Sequence, residues 1–153
     1  MPELVIDSPV GPLCLTEEGG EITRLTWSRG ASDTSEPTDL LQDAAEQLAA
    51  YFDKRLQVFD LPMRVHGSAF QRAVCAAMSA VPLGHTTTYG DIARDVGGSA
   101  QSVGTACGAN PIPILIPCHR VLGANGLGGF SGQGGVETKV QLLRHEGAAG
   151  LLI

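Results

Sequence analysis

No stretch of the 153 residues approaches the roughly 18 consecutive apolar residues that a membrane span requires, so none is expected. The opening residues, MPELVIDSPVG, offer neither a basic stretch nor an apolar core to an export pathway, and the chain is expected in the cytosol. Cysteine is sparse: Cys14, Cys75, Cys107 and Cys118 include no C-x-x-C pair, which removes support for a disulfide framework or a zinc ribbon. Positive charge is short as well. Ten Lys and Arg stand against sixteen Asp and Glu, a net charge of -6, which by itself argues against a phosphate-rich partner. The shortage is local, because residues 1–80 hold 12 acidic against 6 basic side chains while residues 81–153 hold 4 against 4. A polyanion would have to meet the second half. With 43% apolar residues, 17% charged and 20 glycines, the chain reads as ordinary globular protein, one domain or two small ones sharing a core.

Short apolar runs at Leu4-Val5-Ile6, Leu13-Cys14-Leu15 and Ile22 to Trp27, parted by Gly- and Pro-containing turns, predict a small antiparallel meander. After a polar loop, Thr38 caps a predicted helix to about residue 55, with Leu41, Ala44, Ala45, Leu48, Tyr51 and Phe52 at helical spacing. Trp27, Tyr51 and Phe52 read as core, and nothing in this front part carries chemistry.

Ser68-Ala69-Phe70-Gln71 has the form of a capping box and opens a second helix, which Pro82-Leu83-Gly84 ends. Two closely spaced helix starts follow, Thr88 before Tyr89 to Val96 and Gly97-Gly98-Ser99 before Ala100 to Ala109. Short helices joined by a Gly-containing turn predict a helix-turn-helix, although many helical hairpins read the same way. The second of them carries almost only small side chains, so its backbone can approach another surface closely.

Asn110-Pro111 stops that helix, and Ile112 to Ile116 predicts a buried strand leading into Pro117-Cys118-His119-Arg120-Val121. A thiol beside a base or a positive charge becomes a strong nucleophile. Neighbouring side chains usually diverge, however, so His119 reaches Cys118 only through a turn or a bridging water. The alternative is a buried free cysteine beside a surface His-Arg pair. Residues 123–135 then hold seven glycines in thirteen, without the Gly-Lys-Ser/Thr of a phosphate loop and too late for a dinucleotide fingerprint. This is either a flexible connection or a loop in which Phe130 and Ser131 stack on and hydrogen-bond a flat ring. Glu137 to Glu146 predicts a last helix with Val136, Val140 and Leu143 inward, closed by Gly147. Glu146 is either a solvated charge or the carboxylate that orients His119.

Asn110-Pro111, Pro117-Cys118-His119-Arg120-Val121, Gly129-Phe130-Ser131-Gly132 and Leu142-Leu143-Arg144-His145-Glu146-Gly147, in that order and spacing, resemble the O6-alkylguanine-DNA alkyltransferases, also called methylated-DNA–protein-cysteine methyltransferases. The resemblance is close from about Ser68 to Gly147 and looser before it. Non-catalytic relatives replace the cysteine, usually by tryptophan; this chain keeps it.

The resemblance implies an α+β fold: a small strand-rich N-terminal unit, ribonuclease H-like, over residues 1–62. This unit is packed on a mainly helical DNA-binding and alkyl-acceptor domain over residues 63–153, with a helix-turn-helix and a winged, Gly-rich active-site loop. It further implies direct-reversal repair, in which Cys118 irreversibly takes the alkyl group from O6-alkylguanine, and by extension O4-alkylthymine, in flipped-out bases of double-stranded DNA. Catalytic roles fall on Cys118, His119, Glu146, Tyr89 and Asn110: His119 takes the thiol proton through a water, Glu146 orients it, Tyr89 donates toward guanine N3, and Asn110 braces the turn. Substrate binding falls on Val121, Phe130 and Ser131, and minor-groove DNA contact on Thr88, Ser99, Ala100, Gln101, Gly104 and Arg120. A monomer with no cofactor and no metal is implied; no histidine precedes His66 to hold zinc. Two departures stand out: Gln101 where the family commonly has an arginine that fills the vacated stack, and Cys75 where many members have tryptophan. Competing readings are a silent lesion-binding module, which retention of Cys118 opposes, and a Cys-His-Glu hydrolase, which would turn over.

Overall fold

A computed structural model describes residues 1–28, 37–130, 132 and 134–148. The architecture is α+β, with a small sheet early in the chain and a mainly helical part after it, and it divides into two compact units, Met1–His66 and Gly67–Ile153. No helix among the described residues is long and apolar enough to cross a membrane.

In the first unit β1 (Glu3–Ile6), β2 (Leu13–Glu18) and β3 (Glu21–Trp27) form the antiparallel sheet in the order β1-β2-β3, with Leu4 opposite Leu15 and Leu15 opposite Leu25. Strand alternation sends Leu13, Leu15, Ile22 and Leu25 inward. Helix α1 (Asp39–Phe52) covers them with Leu41, Ala44, Leu48 and Tyr51, and Thr38 caps it by accepting from the Leu41 amide at 3.1 Å. It ends earlier than its spacing predicts, because Asp53 leaves the helix and Lys54 turns to φ 62. Tyr51 is core, whereas Trp27 is only half-buried, its indole N–H donating to the Val10 carbonyl at 2.9 Å.

The second unit starts with α2 (Ala69–Ser79), capped by Ser68. Only half of the capping box forms: the Gln71 amide donates to Ala106 O at 2.9 Å instead of returning to Ser68. A short β4 (Thr87–Thr88) runs into α3 (Tyr89–Val96), capped by Thr88, and Gly97 at φ 78 turns the chain toward α4 (Ala100–Gly108). Here the capping box is complete, between Ser99 and Ser102. Residues 112–116 are buried as predicted but do not form a strand. They close a tight turn in which Ile116 N donates to Ile112 O at 2.8 Å and Ile114 sits at φ 71. A 3-10 turn (Cys118–Arg120) and β5 (Val121–Leu122), parallel to β4, follow. Helix α5 (Val136–His145) ends at Glu146, with Leu142 and Leu143 fully buried.

Candidate active site

The turn after α4 is built around one side chain. Asn110 is buried, accepts from the Ile112 amide at 3.0 Å and donates to the Ile116 carbonyl at 2.9 Å. A β-branched residue in the left-handed region costs about 1–2 kcal/mol. The two Asn110 bonds offset that cost at Ile114 and fix the backbone that delivers Cys118. The following 3-10 turn separates three consecutive side chains that an extended strand would have sent to alternate faces.

Cys118 is 5% exposed and forms part of a cavity of about 430 Å³. Gly104, Cys107 and Gly108 of α4 give one wall, Tyr89 of α3 another, and Gly129 and Phe130 of the Gly-rich loop the rest. Gly128 in that loop has no alternative residue: it sits at φ 71, and a Cβ there would lie 2.7 Å from the Tyr89 hydroxyl oxygen.

Behind Cys118, His119 is fully buried with its Nε2 2.6 Å from Glu146 Oε2. Arg120 holds the same carboxylate with both arms of its fork, Nε to Oε1 at 2.9 Å and Nη2 to Oε2 at 3.0 Å, and its Nη1 donates to Val81 O at 2.7 Å. With Nε2–H donating to the carboxylate, Nδ1 carries the lone pair; it is buried and has no partner among the described residues. Glu146 is therefore the carboxylate on His119 rather than a solvated charge. Arg120 needs correction as a DNA contact: its side chain is 7% exposed, and its Nε, Nη1 and Nη2 each donate inside the protein.

Burial pushes the Cys118 thiol up to about 11, against the opposing pull of an Asn110 hydrogen bond and the Lys139 charge. Burial also pushes His119 below the usual imidazole value despite its Glu146 partner, and raises the Tyr89 phenol. At neutral pH the site thus rests as thiol, neutral imidazole and phenol.

Lys139 is the residue the sequence reading missed. It is fully buried on α5 and donates to the carbonyls of Val121 at 2.7 Å, Leu127 at 2.5 Å and Gly129 at 3.0 Å, tying the Gly-rich loop to β5. Burial lowers its ammonium to about 8. Lys139 shares the buried face of α5 with Leu142, Leu143 and Glu146, a placement that its charge masks in the sequence. Val136, expected inward, is 42% exposed.

The remaining predicted residues fall in several places. Val121 is buried, and Phe130 is half-buried at the cavity. Ser131 lies outside the described residues. Thr88 is half-buried at its cap, Ser99, Ala100 and Gln101 are exposed on the first turn of α4, and Gly104 lines the cavity.

Comparison with known proteins finds relatives over most of the chain. Residues 69–148 match the family described as 6-O-methylguanine DNA methyltransferase, DNA binding domain, and residues 3–65 match its ribonuclease-like domain. A Mycobacterium tuberculosis methylated-DNA–protein-cysteine methyltransferase is 41% identical over 149 residues, covering 92% of this chain and 89% of that protein. The enzyme of the same name from Methanosarcina acetivorans is 35% identical over 153 residues, with 94% and 97% covered. The crystal structure of the Mycobacterium tuberculosis protein in complex with DNA superposes with a TM-score of 0.86 at 40% identity, covering 97% of this chain and 94% of that one.

Proposed function

The chain belongs to the 6-O-methylguanine DNA methyltransferase family, a methyltransferase of DNA repair, and on that premise we propose that it moves the alkyl group of O6-alkylguanine irreversibly onto its own Cys118. The observation that carries this reading is the buried thiol in a base-sized cavity, backed by the His119–Glu146–Arg120 chain. A purine inside a duplex cannot reach a thiol that is 5% exposed, so the lesion is extruded from the helix. The small-residue helix α4 enters the minor groove to support it. O4-alkylthymine presents an alkyl group on a similar exocyclic oxygen and is a second substrate. Each molecule carries a complete site within one unit and acts as a monomer.

In the reaction the Cys118 sulfur attacks the alkyl carbon, the S–C bond forms as the O6–C bond breaks, and the bonding pair returns to the purine. His119 Nδ1 takes the thiol proton through one water, and Glu146, held by Arg120, stabilises the imidazolium as it forms. Tyr89, kept protonated, donates to the purine as charge develops on it. The purine regains a ring N–H, so the net proton passes from sulfur to base. Asn110 holds the nucleophile in place, and the Val121 carbonyl accepts from the guanine edge. The product thioether has no good leaving group, so each molecule acts once.

Pretreatment with free O6-benzylguanine should abolish repair of a duplex substrate one for one, and Cys118→Ala should still bind the duplex without transferring. Repair continuing after full pretreatment, or many guanines restored per protein, would indicate a hydrolase.

A further inference from the structure

Helix α4 has a recess on each side. Gly104, Cys107 and Gly108 face the cavity of Cys118, and Gln101, Ser102 and Thr105 face a second groove of about 500 Å³, closed by Phe70 and Gln71 of α2. The groove lining has one aromatic ring, two side-chain amides and three hydroxyls, counting Ser99, with no Lys, Arg or carboxylate. This is poor chemistry for phosphate, which needs a cation or free N–H groups. Two of the N–H groups at the start of α4 are engaged, Ser102 N by Ser99 Oγ and Ser99 N by Ser102 Oγ, each at 3.0 Å. It suits a flat, neutral heteroaromatic ring. Gly98 lies against the Phe70 ring, where a Cβ would come within 2.8 Å of Cε1, and the ring offers a stacking surface to the groove that it lines. The Gln71 amide is oriented by its bond to Ala106 O, and the exposed Gln101 amide has no partner among the described residues.

The ring is identified by position. The groove opens on the exposed first turn of α4, within the segment that matches a DNA-binding domain, and the residue there is an uncharged amide. When a damaged guanine leaves the helix on one side of α4, the pyrimidine opposite loses its pairing partner. We propose that the groove between α2 and α4 receives that orphaned pyrimidine, its face on Phe70 and its edge on the Gln71 and Gln101 amides. Both members of the pair then leave the stack, one to each side of α4. This inference rests on extrusion of the lesion.

The test places pyrrolocytosine opposite O6-methylguanine in a duplex and follows its fluorescence and alkyl transfer after mixing with the wild-type protein. The expected result is a transient rise that decays as transfer completes. The rise should be absent in Phe70→Ala and in Thr105→Phe, which fills the groove from an exposed position. Transfer from duplex should slow roughly tenfold in both, the scale of one base–aromatic stack. Transfer from free O6-benzylguanine, which needs no groove, reports whether each variant is folded. Wild-type transfer from duplex without a fluorescence rise overturns the inference alone, as does a rise that persists in both variants. No transfer from duplex at all removes the function proposed above, and the inference with it.

Discussion

Three side chains at the centre of the site, His119, Arg120 and Glu146, are internal, and their charges act on one another rather than on solvent. Burial keeps His119 neutral, below its ordinary value, and the carboxylate held by a bidentate guanidinium stabilises the imidazolium once it forms. The pH dependence of the reaction with free O6-benzylguanine follows from this. With a neutral base taking the thiol proton in the transfer itself, the wild-type rate should stay flat above about pH 7 and fall only in acid, where His119 gains its proton. In His119→Ala the thiolate must form unaided. The rate at neutral pH should then be about 10² to 10⁴ lower, climbing close to tenfold per pH unit toward the Cys118 value of about 11. Lys139, whose ammonium burial lowers to about 8, is present in both proteins, so the ratio of the two profiles isolates the part of His119. A wild-type profile that climbs in parallel with the variant would reduce His119 to scaffold.

Among the elements, the turn at residues 110–116 decides the most and was the least legible in advance. Its apolar run reads as a strand by composition, yet the left-handed Ile114 and the two Asn110 bonds make it a bracket under the nucleophile. Asn110→Ala leaves the Ile112 amide buried without a partner, at about 1–3 kcal/mol, and the Ile116 carbonyl with the Cys118 amide alone. A fall in Tm of several degrees and a slower reaction with free O6-benzylguanine should both follow. Unchanged kinetics in a destabilised variant would mean that the turn serves stability alone. Helices were easier, because Thr38, Ser68, Thr88 and Ser99 announce their caps and each is found capping. The pairs Cys118 with the Gly-rich loop and His119 with Glu146 were legible through the family resemblance. Lys139 and the burial of Arg120 were not, since a charged side chain at the edge of an apolar face reads as solvated until the carbonyls or carboxylate that satisfy it are brought in by the fold.

At the scale of the molecule, the net charge of -6 is consistent with DNA recognition that depends little on phosphate attraction. Of the four Lys and Arg in residues 81–153, Arg120 and Lys139 are buried, leaving Arg94 and Arg144 outside. On the proposed function, the second unit meets DNA with an uncharged first turn of α4 and with two recesses, and its chemistry is confined to one thiol that is consumed. Intact mass after incubation with a duplex containing one O6-methylguanine tests this most directly. The protein should gain the mass of a single methyl group and no more, however long the incubation, with the methyl on the peptide that holds Cys118. Methyl on Cys75 or Cys107, or guanine restored in excess of protein with no mass change, would contradict the account.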